Sequence, residues 1–252
     1  MLEVQSVSKS FDGFSAVDNV SFDVASGAIV GLIGPNGAGK TTTFNLIAGT
    51  LRPTSGAIRI AGRAVEREPA HRRIEAGLAR TFQIPKPFGA MSVLENVLVA
   101  ARDQKGERLL PNLFARGEVR RREKDNIERA REIIAFVDLA RVEREPARAL
   151  SGGQRKLLEL ARVLMAAPKL ILLDEPAAGV NPALLETIIA RIEAINRTGV
   201  TVLIIEHNMD LVARLCGEVI VMAQGRVLGR GTPEAMACDP RVIEAYLGGA
   251  TA

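Results

Sequence analysis

Apolar residues in the first stretch of the chain fall at alternating positions: Leu2, Val4 and Val7, then Val17, Val20, Phe22 and Val24. A period of two predicts strands with one covered face, and Asp12-Gly13 and Ser26-Gly27 supply the turns between them. The run Ile29-Val30-Gly31-Leu32-Ile33 is apolar throughout, the pattern of a strand buried on both faces. A helix carrying Phe44, Leu46 and Ile47 follows, and Gly49 and Pro53 stop it. The glycine-bounded piece Gly56–Gly62, with Ile58 and Ile60 in it, reads as a further short strand.

From about Ile84 to Pro168 the period changes to that of helices. Ser92 and Glu95 form an S-x-x-E capping box ahead of Val93, Leu94 and Val97. A polar loop is expected around Asp103–Gly106. Between Gly117 and Leu139, Ile127, Ala130, Ile133, Ile134 and Val137 recur at helical spacing, more consistent with core packing than with a docking face. Another helix starts near Ser151 and carries Leu157, Leu160, Ala161 and Leu164. Strand character returns at Leu170–Leu173, Val200–Ile205 and Val219–Met222, with helices between. Asn181-Pro182, Thr232-Pro233 and Asp239-Pro240 each place a capping residue before a proline, marking three helix starts. Strands alternating with helices imply a mainly parallel sheet, with the helical segment inserted into one α/β core rather than tethered as a separate domain.

Composition narrows the function classes. The 252 residues are 47% hydrophobic and 25% charged, as in an ordinary globular protein. A net charge of +4 is too mild to indicate nucleic acid, and with no Trp and a single Tyr, base-stacking platforms are scarce. The run Arg120–Lys124 reads as a solvated helix face, with an anionic lipid contact as the alternative. Cys216 and Cys238 have no metal-ligand or C-x-x-C spacing and suggest a reducing compartment. The N-terminus lacks the pattern of an export signal, and there is no apolar run of membrane-spanning length, so a cytosolic protein is expected, even if it works at a membrane.

Three motifs carry chemistry. Gly34-Pro35-Asn36-Gly37-Ala38-Gly39-Lys40-Thr41, followed by Thr42, is a G-x-x-x-x-G-K-[ST] loop between a buried strand and a helix. Its glycines let successive N–H groups converge on phosphate oxygens, Lys40 adds charge near the β- and γ-phosphates, and the Thr41 hydroxyl suits Mg²⁺. A bound nucleoside triphosphate is the expectation. The strand Leu170–Leu173 ends in Asp174 and Glu175, the first placed for Mg²⁺ and the second for polarising an attacking water. Leu150-Ser151-Gly152-Gly153-Gln154 opens a long helix, exposing glycine N–H groups and a hydroxyl to an anion. With a complete phosphate loop already present, this second anion site makes sense if it serves the γ-phosphate of another subunit.

Together these segments make the chain similar to ATP-binding-cassette (ABC) ATPases over nearly its whole length. The resemblance implies a P-loop, RecA-like α/β core with an N-terminal antiparallel β subdomain and an inserted helical subdomain. In a single domain of residues 1–252, the core is expected at about 1–83 and 169–231, the helical part at about 84–168 and a helical tail at about 232–252. It further implies that Gln83 reaches Mg²⁺ and the attacking water, that His207 contacts the γ-phosphate, and that Phe11 stacks on adenine. Ala177–Pro182 occupies the D-loop position, where many members carry Asp instead of Asn181. A head-to-tail dimer is implied, each ATP lying between Lys40 of one subunit and Ser151–Gln154 of the other. The region Ile84–Met91 would receive a helix of a membrane permease, with Phe88 and Met91 either anchoring it or belonging to the local core.

Arg80-Thr81-Phe82-Gln83, Ala177–Pro182, Ile205-Glu206-His207-Asn208-Met209 and the ending Val242–Gly248 narrow the resemblance to the ATPase of bacterial branched-chain (hydrophobic) amino-acid importers. That implies a peripheral subunit at the cytoplasmic face of the inner membrane, paired with itself or a paralogue, and an external binding protein that delivers the solute. The ATPase of a lipopolysaccharide exporter, alike in core motifs and in its Tyr-Leu-Gly ending, is the nearer alternative. A soluble non-transport ABC ATPase is the alternative from another class.

Overall fold

A computed structural model describes residues 1–81, 86–102 and 116–248. Its elements begin with β1 (Leu2–Phe11), β2 (Phe14–Val24), β3 (Ile29–Ile33), α1 (Lys40–Ala48), β4 (Ser55–Ile60), β5 (Arg63–Ala64), α2 (Ala70–Glu75) and β6 (Leu78–Arg80). Three longer-range helices follow, α3 (Val93–Leu98), α4 (Arg116–Phe136) and α5 (Gly152–Met165). The chain then runs through β7 (Leu170–Asp174), α6 (Pro182–Arg197), β8 (Thr201–Ile205), α7 (Met209–Leu215), β9 (Glu218–Ala223) and β10 (Arg226–Gly231). It closes with α8 (Pro233–Ala237) and α9 (Pro240–Gly248). Two compact units result, one of Met1–Gln83, Pro168–Gly179 and Leu185–Ala252, the other of Ile84–Ala167 with Val180–Leu184.

The first unit holds two sheets. An antiparallel one runs β2-β1-β4-β5, in a register that pairs Val4 with Phe22 on one side and Ile58 on the other. The alternation seen in the sequence therefore puts these side chains on one covered face. The second sheet runs β10-β9-β3-β8-β7-β6, parallel except where β10 returns antiparallel beside β9. Every residue of β7 and β8 is buried, as the apolar runs Leu170–Leu173 and Val202–Ile205 within them require. Both sheets share a core with Phe44, Leu46 and Ile47 of α1.

One buried cation fixes that helix. Arg73 has no exposed surface, and its guanidinium donates to the carbonyls of Leu46, Ile47, Glu66 and Glu68. The first two lie in the last turn of α1, where carbonyls lack partners within the helix. Burial draws the Arg73 pKa down to about 10, with Glu66 and Glu68 opposing it. Gly49, just past α1, sits at φ +80, and a Cβ there would come within 2.5 Å of Arg73 Nε.

The second unit is helical. Ser92 caps α3 with the expected box: its Oγ accepts from Glu95 N–H, and the Glu95 carboxylate accepts from Ser92 N–H. Ala130, Ile134 and Val137 are fully buried, so the stripe on α4 is a core face, while Arg120, Arg121, Glu123 and Lys124 are exposed. Asn96 is buried, and its amide donates to the carbonyls of Phe88, Met91 and Ser92 while accepting from Phe88 N–H. The Phe88–Met91 turn is thereby pinned with both apolar side chains outward, 48% and 38% exposed, so they are not local core.

Candidate active site

Parallel strands place their carboxyl ends together, and in such sheets ligands bind there. Here β3, β8 and β7 are neighbours, with Leu32 level with Ile205 and Ile205 level with Asp174. The loops leaving these strands carry Gly34–Thr42, His207 and Glu175. The order of strands, not proximity in sequence, gathers them.

The phosphate-type loop is shaped by close backbone approach. Gly34 has φ +146, and a Cβ would meet Met222 O at 2.1 Å; at Gly39, with φ +94, it would meet Ala16 O at 2.6 Å. Only glycine fits either position. Ala38 is buried while Asn36, Gly37 and Thr41 are exposed and Pro35, Gly39 and Thr42 half-buried. Lys40 is buried, its ammonium donating to Gly34 O at 2.7 Å and Pro35 O at 2.9 Å. Desolvation lowers its pKa, and the charge of Glu175 partly restores it. The cation is therefore held inside the loop's curl and biased toward a nearby anion.

Asp174 ends β7 at 7% exposure, its backbone N–H donating to Thr81 Oγ1. Its Oδ2 accepts from Arg80, 2.9 Å away, which also donates to Asn45 Oδ1 and lies over the Phe44 ring. Glu175 takes a left-handed φ of +47, uncommon for a residue with a Cβ, and its N–H donates to Ile205 O at 2.9 Å. His207 Nε2 stands 3.2 Å from Glu175 Oε1. A carboxylate and an imidazole are thus presented together beside the lysine loop, an arrangement suited to activating water against a phosphoryl group.

The remaining residues sort differently. Phe11 faces Phe14 across the β1–β2 turn and is 42% exposed, with Lys9 Nζ 5.0 Å above its ring. Ala16 of the same hairpin passes against Gly39, so the hairpin end lies by the phosphate loop. Ser151, Gly152, Gly153 and Gln154 belong to the second unit, where Ser151 Oγ accepts from Gln154 N–H and Gln154 Oε1 from Ser151 N–H. The two glycines have separate reasons: nothing lies within 4 Å of a Cβ at Gly152, whereas one at Gly153 would strike Leu184 Cδ2 at 2.2 Å. Asn181 caps α6, its Oδ1 accepting from Leu184 N–H. Gln83 lies outside the described residues. Arg80, Asn45 and Glu206 were not singled out from sequence; Arg80 and Glu206 sit inside quoted motifs, but only the fold shows what they hold.

The loop, the paired carboxyl end of β7 and the sheet order define a P-loop nucleotide hydrolase. Residues 17–178 match the ABC transporter family, and the chain belongs to it. It is an ABC-type ATPase. Residues 226–252 match a family described as branched-chain amino acid ATP-binding cassette transporter. The chain is 40% identical over 248 residues to the probable branched-chain amino acid transport ATP-binding protein LivG of Archaeoglobus fulgidus, covering 98% of this chain and 95% of the relative. It is likewise 40% identical over 251 residues to the high-affinity branched-chain amino acid transport ATP-binding protein BraF of Pseudomonas aeruginosa, with 98% of each covered. Among solved structures, the ADP conformation of an ATP-binding cassette of an ABC transporter aligns with TM-score 0.84 and 35% identity, covering 98% of both chains.

Proposed function

We propose that this chain is the ATP-hydrolysing subunit of an importer for branched-chain or other hydrophobic amino acids. The observation that carries the ATPase chemistry is the gathering of Lys40, Asp174, Glu175 and His207 at three adjacent strand ends. The match of residues 226–252 to the branched-chain family supports the solute class over lipopolysaccharide export or a soluble role.

In this reading the N–H groups of Gly34–Thr42 and the Lys40 ammonium hold the β- and γ-phosphates, and Phe11 meets the adenine. Glu175 polarises the attacking water, while His207 and Lys40 stabilise charge developing on the γ-phosphate. The donor set fits Mg²⁺: one hydroxyl (Thr41) and one carboxylate (Asp174), hard oxygen ligands, with no group of three or more candidate His, Cys, Asp or Glu ligands among the described residues. Magnesium bound there with Gln83 would neutralise phosphate charge, the rest of its shell coming from phosphate and water. Ser151, Gly152, Gly153 and Gln154 would serve the nucleotide held by a second ATPase, a copy or a paralogue, in a head-to-tail dimer. ATP favours closure only through contacts absent from the open form, and these are such contacts.

No helix among the described residues is long and apolar enough to cross a membrane. The outward Phe88 and Met91, on a turn fixed by Asn96, suit an apolar helix of a permease subunit. The chain would then lie peripherally at the cytoplasmic membrane face, with the external binding protein as an indirect partner. The test is a pull-down of tagged Glu175→Gln chain from detergent-solubilised native membranes with ATP, read by mass spectrometry. Two polytopic subunits with a second ATPase are expected. Lipopolysaccharide-bridge components, or ribosomal partners without membrane proteins, would overturn the importer reading.

A further inference from the structure

Glu206 immediately precedes His207, yet its side chain points the other way, into the protein. It is 3% exposed and accepts three backbone hydrogen bonds. Oε1 accepts from Ala177 N–H at 2.7 Å, and Oε2 from His207 N–H at 2.8 Å and Asn208 N–H at 3.0 Å. Ala177 lies two residues beyond Glu175, on the loop that leaves β7; His207 and Asn208 lie on the loop that leaves β8. One carboxylate therefore grips the backbones of both loops. A second stitch, Glu175 N–H to Ile205 O at 2.9 Å, lies two residues before Ala177 on one side and two before His207 on the other.

We propose that Glu206 is a positioning residue that sets the Glu175–His207 spacing by clamping the two loops carrying them. It acts by fixing the backbone of His207 and the segment after Glu175. The charge matters as well as the shape. Ionised carboxylate oxygens only accept, which suits three converging N–H donors, and hydrogen bonds to an ionised group are roughly twice as strong as neutral ones. The same charge reaches Cys216, whose thiol pKa is pushed up to about 12 by burial first and by Glu206 second. Because Ala177 opens the segment that the proposed dimer would contact, the clamp also links that segment to His207. The inference rests on the ATPase reading above.

The test is Glu206→Gln in the full-length chain. The amide keeps the volume but presents donors at one end, so at least one of the three backbone bonds is lost. Misplacement of reacting groups by about 1 Å costs on the order of 100-fold in rate. The expected result is a kcat about 10- to 100-fold lower, with ATP affinity within about twofold of wild type. Combining it with His207→Ala should cost less than the product of the two single losses, because part of each acts through the same imidazole. A kcat within about threefold of wild type, or losses that multiply in the double variant, would overturn the proposal. Hydrogen exchange of the wild-type chain tests it without any substitution. Slow exchange at the Ala177 and His207 amides is expected, and exchange at the rate of exposed loop amides would refute the clamp. A wild-type chain that neither binds nor hydrolyses ATP would bring down the ATPase reading and this inference with it; normal wild-type activity with an unaffected Glu206→Gln would bring down this inference alone.

Discussion

Replacing Arg73 by Met removes a cation from the end of the helix that begins at Lys40. Three of its contacts are close, to Leu46 O, Ile47 O at 2.8 Å and Glu68 O at 3.0 Å; the fourth, to Glu66 O, is 3.4 Å. Hydrogen bonds from a charged donor contribute about 1.5–3 kcal/mol each, so the three close ones sum to roughly 5 kcal/mol at the low end. Met fills most of the same volume and abolishes the burden of burying a guanidinium, offsetting about 2 kcal/mol. The net expectation is a loss of about 3 kcal/mol, or roughly 6–12 °C in Tm for a chain of this size. Circular-dichroism melting of the purified chain measures it. Gly49→Ala provides an internal control. In the wild type its Cβ would lie 2.5 Å from Arg73 Nε, at φ +80. In an Arg73→Ala background the steric part vanishes and only the backbone strain, about 1 kcal/mol, should remain. A Tm for Arg73→Met within about 2 °C of wild type would refute the assignment of Arg73 as the cap of this helix.

Other outcomes follow from the same contacts. Glu175→Gln should keep ATP binding, lose hydrolysis and trap a closed dimer, seen as an ATP-dependent shift in size-exclusion chromatography; hydrolysis at the normal rate would contradict the role of Glu175. Ser151→Arg should abolish hydrolysis while the isolated chain still binds ATP, and loss of binding would contradict its placement opposite a partner's nucleotide. Gly153→Ala should destabilise by about 1–2 kcal/mol in thermal melts, because its Cβ meets the flexible end of Leu184, and Leu184→Ala should relieve most of the clash. Cys216 is buried with its pKa pushed up to about 12, whereas Cys238 is exposed. At pH 8 a thiol reagent should therefore modify one cysteine of the folded chain quickly and the second only on unfolding; two fast equivalents would contradict the burial of Cys216.

The elements missed in the sequence share a physical cause. β10 (Arg226–Gly231) carries two glycines and only Val227 and Leu228 as apolar residues, because as an edge strand it is half-exposed. β6 has three residues, β5 two, and α2 six, too short for periodicity to register. Each is held by neighbours distant in sequence: β6 by β7, α2 by Arg73 reaching back to α1. The capping box at Ser92 was legible because its partner lies three residues away, whereas the box that Ser151 forms with Gln154 appears only in the structure.

The sequence by itself singled out Gly34–Thr42 and Leu170–Glu175 as the segments expected to carry phosphate and carboxylate chemistry, since each is contiguous and its spacing is a local property. It also determined the alternation of strands and helices, because periodicity is a local property of the chain. Only the tertiary structure decided that β3, β8 and β7 are neighbours, and hence that His207 comes within 3.2 Å of Glu175 across 32 positions of chain. It alone assigned Arg80 to Asp174, Arg73 to the end of α1, and Glu206 to two loops at once. Those are contacts of buried polar groups, whose partners are set by which backbone atoms lack water, and that is known only once the chain has closed around them.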